Sequence, residues 1–298
     1  MYIYEGSGVA ILTPFDENTK AIDWTAFEAL LDFHLENHTD ALIITGTTGE
    51  SSTLTDEEQI DMIKFAVDHV DGRVPVIAGT GINDTAHSIK LSQQAEAVGA
   101  DALLIVTPYY NKTSPQGMLI HFKTIADAVN IPIILYHVPG RTGAELTVEQ
   151  VVELAQHPNI VALKDATGDL EYTRRVREAL PEEFAIYSGN DDITLDILKL
   201  GGQGTISVTA NILPQEIHDL CRYYREGKIE EAEALNEKLA QINQDLFIEV
   251  NPIPVKYIAY RLGLMANSYR LPLIEPSDVT KAILDNYNDL VAAYQVNA

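Results

Sequence analysis

The sequence predicts an α/β chain folded as a (β/α)₈ TIM barrel, with a C-terminal helical domain after it. Three observations carry that expectation. Eight short, near-continuously apolar runs recur along the chain, as strands buried on both faces do. Amphipathic stretches with helix punctuation separate them. After the eighth unit the pattern turns purely helical, so nothing remains to extend the sheet. The strands are expected at Val9 to Leu12, Ala41 to Thr45, Val74 to Ala78, Ala102 to Val106 and Ile133 to Tyr136. Three more are expected at Ile160 to Lys164, Phe184 to Tyr187 and Gly204 to Val208. Asp23-Trp24-Thr25 opens a helix, and Thr55-Asp56-Glu57-Glu58 opens another with acids in its first turn. Asp84 precedes a helix from Thr85 to Val98 ending at Gly99, and Ser114-Pro115 starts a further one with proline at its first position. The catalytic barrel is placed at residues 1–227 and the helical domain at 228–298, with helices at Ile229 to Phe247, Pro254 to Leu262 and Ser277 to Tyr294.

Composition removes several function classes. The 298 residues carry 20 basic and 44 acidic side chains, a formal net charge of −24. Nucleic acid and anionic membrane both need cationic surface, so neither is expected as a partner. The single Cys221 excludes an intramolecular disulfide and fits a reducing compartment. Met1-Tyr-Ile-Tyr-Glu-Gly has no basic or apolar leader region, and no apolar run approaches the roughly 20 residues that span a bilayer. A cytoplasmic protein is expected.

Lys164 is a cation at the end of a strand that should tolerate none: Ile160-Val161-Ala162-Leu163-Lys164 is otherwise β-branched and apolar. Such a lysine either reaches water along its stem or is kept for chemistry. Burial disfavours an ammonium, and the neutral amine is the species that attacks a ketone to form a Schiff base. Strand alternation would set Ile160, Ala162 and Lys164 on one side, with the small Ala162 leaving room beneath the lysine.

In a barrel of this kind the chemistry sits on the loops leaving the C-terminal strand ends. Those positions hold Gly46-Thr47-Thr48-Gly49-Glu50, Thr107-Pro-Tyr109-Tyr110-Asn111, Tyr136-His-Val-Pro-Gly-Arg141, Lys164, Ser188-Gly189-Asn190-Asp191 and Ile206-Ser207. Singly, each has an ordinary explanation: a turn, a packed tyrosine ring, a surface arginine. Together they place an amine, hydroxyls in series and an arginine on one rim. A ketone-activating lysine needs a proton shuttle for carbinolamine formation and dehydration, and hydroxyls supply one. An α-keto acid also needs donors for its carboxylate. Metal chemistry lacks support, because only His137 of the eight histidines stands at a strand end and no ligand spacing is visible. No G-x-G-x-x-G opens a helix after the first strand, so a nicotinamide site is not expected.

These residues resemble those of the pyruvate-dependent Schiff-base aldolases, specifically the dihydrodipicolinate synthases of the diaminopimelate route to lysine. The resemblance runs from about Gly8 to the C-terminal helices. It is carried by Gly46-Thr-Thr-Gly-Glu-Ser51, Val76-Ile-Ala-Gly-Thr-Gly81, Thr107-Pro-Tyr-Tyr-Asn111, Tyr136-His-Val-Pro-Gly-Arg-Thr142 and Leu163-Lys-Asp-Ala-Thr-Gly168. Ser188-Gly-Asn-Asp191, Gly204-Thr-Ile-Ser-Val208 and Asn251-Pro-Ile-Pro-Val-Lys256 complete it.

The resemblance implies that Lys164 forms the Schiff base with pyruvate, with no cofactor beyond that covalent bond. It implies a proton relay of Tyr136, Thr47 and Tyr110, the last contributed across a dimer interface to a neighbouring site. Thr48 and the backbone around Ile206 are implied to hold the pyruvate carboxylate, Gly189 to be a further substrate-binding residue, and Arg141 to be the carboxylate partner of L-aspartate 4-semialdehyde. A homo-oligomer, dimer or dimer of dimers, is implied as well. Two departures stand out. The family usually reads Tyr-Asn-Val-Pro-Ser-Arg, where this chain has His137 and Gly140. Lysine-inhibited relatives carry histidines at what are here Asp56 and Gln59 and a glutamate at His87, so feedback by L-lysine is expected to be weak or absent. N-acetylneuraminate lyase and 2-keto-3-deoxy sugar acid aldolases share the lysine and tyrosine, but resemble Gly-Ser-Thr-Gly and typically lack the arginine; Thr47 with Arg141 favours the synthase. A non-catalytic barrel would have lost a relay residue, and none is lost.

Overall fold

The computed structural model describes residues 2–287. Eight parallel strands close in sequence order: β1 Gly6–Ala10, β2 Ala41–Ile44, β3 Val76–Gly79, β4 Ala102–Val106, β5 Ile133–His137, β6 Ile160–Asp165, β7 Ala185–Ser188 and β8 Gly204–Ser207, with β8 paired back to β1. The helices on the outside begin with α1 Trp24–Glu36, α2 Asp56–Val70, α3 Thr85–Ala97, α4 Pro115–Asp127, α5 Pro139–Thr142 and α6 Val148–Leu154. They continue with α7 Leu170–Ala179, α8 Thr194–Lys199 and α9 Pro214–Arg225, and then α10 Ile229–Asp245, α11 Ile253–Arg261 and α12 Asp278–Leu284.

The helix starts fall where the cap chemistry places them. Asp23 accepts from the Ala26 amide, Asp84 from that of His87 and Ser114 from that of Gly117, with Pro115 at the first helical position. Thr55 and Glu58 form a reciprocal capping box.

Two cores follow from strand alternation. The outer one fills the space between strands and helices, with Val9, Leu42, Ile44, Leu103, Ile105 and Leu163 facing Phe27, Leu30, Met62 and Phe122. Val255 and Ile258 of α11 and Leu239 and Ile242 of α10 join that same cluster, so the last helices are packed onto the barrel. The inner one fills the barrel itself: Ala10, Ile43, Ile77, Leu104, Ile134, Tyr136, Ala162, Ala185, Tyr187 and Ile206. Its base is closed by Tyr4 stacked on Tyr187, ring centres 4.4 Å apart, each hydroxyl donating to a main-chain carbonyl.

Several expectations need correction. β1 lies at Gly6–Ala10, three residues before Val9 to Leu12, because Ile11 and Leu12 already belong to the loop climbing over the outer core. β3 and β7 end one residue later than expected, at Gly79 and Ser188. Ile160 does not share a side with Ala162: the β5–β6 register jumps from Ile133↔Ile160 to Ile134↔Ala162, leaving Val161 as a bulged residue. Ile160 therefore packs outward while Ala162 faces the interior. The last helix, expected to reach Tyr294, runs Asp278–Leu284 and passes into a 3₁₀ turn at Asp285–Tyr287; the remainder lies outside the described residues. No helix among the described residues is long and apolar enough to cross a membrane.

Candidate active site

Lys164 is the penultimate residue of β6, beside Tyr136 of β5 and Tyr187 of β7, its register partners. It is 6% exposed, and its Nζ stands 4.3 Å from the centre of the Tyr136 ring. No carboxylate among the described residues lies within ion-pair distance of it. The next residue, Asp165, points to the other side and pins the strand end. It accepts from the Thr167 amide and hydroxyl and, at 2.6 Å, from the Thr173 hydroxyl. Burial pushes this carboxyl up, and those hydrogen bonds pull it back. Gly189 passes so close to that corner that a Cβ would fall 2.6 Å from the Ala166 Cβ and 3.0 Å from the Asp165 carbonyl. Only glycine fits there.

The turn after β2 is held in a strained shape. Thr45 and Glu50, at its two ends, are both left-handed with φ of 56°, a conformation that a β-branched residue seldom adopts. Thr13 Oγ1 donates to the Gly49 carbonyl at 2.5 Å. The Asn251 side-chain amide donates to Thr48 Oγ1 at 3.0 Å, so the Thr48 lone pair is engaged and its proton is free to point elsewhere. The Asn251 carbonyl accepts from Arg141 Nη2 at 3.3 Å. One residue from the start of α11 thus touches both expected carboxylate-binding side chains.

A cleft of about 320 Å³ opens at this rim, lined among others by Thr47, Ser51, Gly81, Tyr109, Val138 and Arg141. A larger hollow of about 530 Å³ lies at the opposite end, beneath β2 and β3. Two of its carboxylates are already paired, Asp40 with His218 at 3.0 Å and Asp32 with His69, behind the lining, at 2.7 Å. The rim cleft is the one that carries the convergent hydroxyls and the arginine.

Ile206 is fully buried on β8, where Asp191 accepts from the Val208 and Thr209 amides and the Ser207 hydroxyl. Asn211 ties this end to β1 through the Leu12 amide and the Ala10 carbonyl. Neither the Tyr136 nor the Thr47 hydroxyl has a hydrogen-bond partner among the described residues, so the expected relay is not joined within one chain. Tyr110 is 89% exposed, sits at φ 72°, and does not line the cleft; Tyr109 does. His137 faces outward, away from Arg141. Its Nε2 accepts from the Leu146 amide and its ring meets Tyr172 edge-on. Burial pushes its pKa down to about 4, which leaves it neutral near pH 7. Gly140 has open space where a Cβ would be, so its smallness leaves the arginine turn undisturbed.

Asn251 and Lys256 stand in the sequence only as ends of the Asn251-to-Lys256 motif, without a role; in the structure Asn251 supports Thr48, and Lys256 of α11 is a second buried lysine, paired with Glu50. The available signal was the Asn-Pro-Ile-Pro run, which interrupts an otherwise helical stretch.

Residues 4–289 match the family model described as the dihydrodipicolinate synthetase family. The chain belongs to that family. It is 50% identical over 268 residues to the 4-hydroxy-tetrahydrodipicolinate synthase of Pseudomonas putida (strain W619), covering 90% of this chain and 91% of that protein. The crystal structure of the dihydrodipicolinate synthase from Aquifex aeolicus superposes with a TM-score of 0.95 at 41% identity, over 98% of this chain and 100% of that one. The chloride-inhibited synthase from Acinetobacter baumannii, complexed with pyruvate, gives 0.94 at 42% identity, over 97% and 99%. As a member of the dihydrodipicolinate synthetase family the chain is an aldolase-type lyase. It condenses pyruvate with L-aspartate 4-semialdehyde in lysine biosynthesis through a lysine Schiff base; the enzymes of this family use that Schiff base with no metal.

Proposed function

We propose that Lys164 is the Schiff-base lysine of this 4-hydroxy-tetrahydrodipicolinate synthase and that Tyr136, Thr47 and Tyr110 handle its protons. The observation that carries the assignment is the contrast between the two buried lysines. Lys256 is committed to Glu50, whereas Lys164 has no carboxylate partner among the described residues and stands at the barrel mouth against Tyr136.

The Lys164 amine attacks C2 of pyruvate, and the carbinolamine loses water to give a protonated imine. That iminium is the electron sink, so no metal or organic cofactor takes part. Loss of a methyl proton gives the enamine, whose carbon attacks the aldehyde of aspartate semialdehyde; the resulting alkoxide takes up a proton. The substrate amine then displaces Lys164 as the ring closes. The Tyr136 ring face beside Nζ favours the cationic imine as its charge develops. Thr48, with its lone pair held by Asn251, directs its proton to the pyruvate carboxylate, flanked by Gly189 and the backbone around Ile206. Arg141 offers a planar fork to the carboxylate of the aldehyde substrate.

Tyr110 has no role within its own subunit in this reading. Its exposure on strained backbone suits insertion into a neighbouring copy, so we place it in the partner's relay, in a homo-oligomer built as a dimer or a dimer of dimers. We place the protein in the cytoplasm and the barrel boundary at Gly227, between α9 and α10.

The test is a substrate comparison. With pyruvate and aspartate semialdehyde the purified enzyme is expected to form the cyclic product, detected by coupling to its NADPH-dependent reduction. With N-acetylneuraminate or 2-keto-3-deoxygluconate it is expected to release no pyruvate. The reverse pattern would assign the chain to a sugar-acid aldolase.

A further inference from the structure

Glu50 and Lys256 form a buried ion pair to which the chemistry above gives no part. Glu50 closes the turn that carries Thr47 and Thr48, and it is 2% exposed. Lys256, 1% exposed, comes up from α11 with Nζ 2.5 Å from Glu50 Oε1 and 3.0 Å from the Thr13 carbonyl. The ring centres of Phe15 and Tyr269 lie 4.5 and 5.1 Å from that ammonium. Thr13 in turn donates its hydroxyl to Gly49, the neighbour of Glu50. The second Glu50 oxygen, Oε2, is buried without a partner.

Such a pair is a poor way to stabilise a fold, since two ions lose their hydration and apolar residues of similar volume commonly serve as well. Its arrangement does something apolar residues cannot: it fixes a direction. The ammonium is held at three points, by Glu50, by Thr13 and by the ring faces. Glu50 is therefore held where its backbone must stay left-handed, and the turn between Thr45 and Glu50 keeps its strained shape.

We propose that Glu50 and Lys256 are positioning residues for pyruvate. Lys256 fastens the main chain of the β2 turn, so that Thr47 and Thr48 meet the substrate already placed. The proposal rests on the assignment of Lys164, Thr47 and Thr48 above.

The test separates position from stability. Lys256→Met and Glu50→Gln each leave an unmatched buried group and lower Tm. The double variant Glu50→Leu/Lys256→Met replaces the pair with apolar volume and is expected to regain most of the lost Tm. Its KM for pyruvate is expected to stay at least tenfold above wild type, with kcat at saturating pyruvate and KM for the aldehyde within threefold. A double variant with wild-type Tm and wild-type pyruvate KM would overturn the proposal. Should that variant not fold, Glu50→Asp decides the matter, since it keeps both charges and shortens the link by one methylene. A raised pyruvate KM then supports positioning, and an unchanged one overturns it. Borohydride labelling of the wild-type enzyme with pyruvate separates the two layers: a wild type not labelled on Lys164 refutes the underlying assignment, whatever the variants do.

Discussion

Tyr136 and Lys164 are direct cross-strand partners on β5 and β6, and the lysine Nζ rests 4.3 Å from the centre of the tyrosine ring. In the proposed chemistry the tyrosine contributes two different parts. Its ring face is a fixed electrostatic partner for a cation at Nζ, and its hydroxyl, without a hydrogen-bond partner among the described residues, is the part assigned to proton transfer.

Tyr136→Phe separates those parts, because it keeps the ring and removes the hydroxyl. We expect kcat to fall by roughly 10²- to 10⁴-fold, the usual worth of one general acid–base group. Tm should stay within a few degrees, since the hydroxyl makes no hydrogen bond among the described residues. Steady-state kinetics and thermal melting check both, and undiminished activity would remove Tyr136 from the relay.

Arg141→Ala is expected to raise KM for aspartate semialdehyde and to lower kcat/KM by roughly 10- to 100-fold, as loss of a charged hydrogen bond of about 1.5–3 kcal/mol requires. Trapping of pyruvate on the enzyme should survive. Loss of trapping with an unchanged aldehyde KM would show that the two carboxylate sites are exchanged.

L-Lysine is expected to inhibit weakly or not at all. Asp56 is the one carboxylate at the three altered positions, and the structure shows it already engaged, by His87 at 2.7 Å and Lys90 at 2.8 Å. The hydrogen bond from Lys90, ahead of that from His87, holds its carboxyl below the usual range. An incoming ammonium would have to displace Lys90 and the His87 ring from that carboxylate. Rates measured with millimolar L-lysine at saturating pyruvate settle it. Half-inhibition below about 1 mM, or about 4 kcal/mol of binding, would contradict this expectation.

Acid should destabilise the fold through its buried histidines. Burial pushes His34 down to about 3 and His121 and His137 down to about 4, from an ordinary 6.5. Each binds its proton more weakly folded than unfolded. The stability they contribute is therefore complete above pH 6.5 and is lost as pH falls toward 4, by about 1.4 kcal/mol per pH unit for each group. Tm should drop steadily from pH 7 to pH 5, and His137→Gln should flatten the slope. A flat Tm over that window would show that these rings are not shielded.

Most of the barrel was legible because parallel strands covered on both faces leave long apolar runs, and because the helix caps are local chemistry. β1 was misplaced for a physical reason. Its Gly6-Ser7-Gly8 segment reads as a loop, yet the interior there is filled by aromatic rings, and a Cβ at Gly8 would fall 2.5 Å from the Tyr4 hydroxyl. The bulge at Val161 defeats simple alternation. The rim residues were readable from strand ends, but their supports were not. Asn251 reaches Thr48 across 203 positions of sequence, and Lys256 reaches Glu50 across 206. The Asn-Pro-Ile-Pro run marks an irregular start to α11, but it does not say which distant residues those side chains reach.

On the proposed chemistry Lys164 is the nucleophile that attacks pyruvate. Incubation with pyruvate and borohydride, followed by peptide mapping by mass spectrometry, reads out that bond. We expect one reduced pyruvyl adduct per chain, on Lys164, and none in Lys164→Ala, which should also lose nearly all activity. An adduct on Lys256 or Lys112, or labelling that persists in Lys164→Ala, would contradict it.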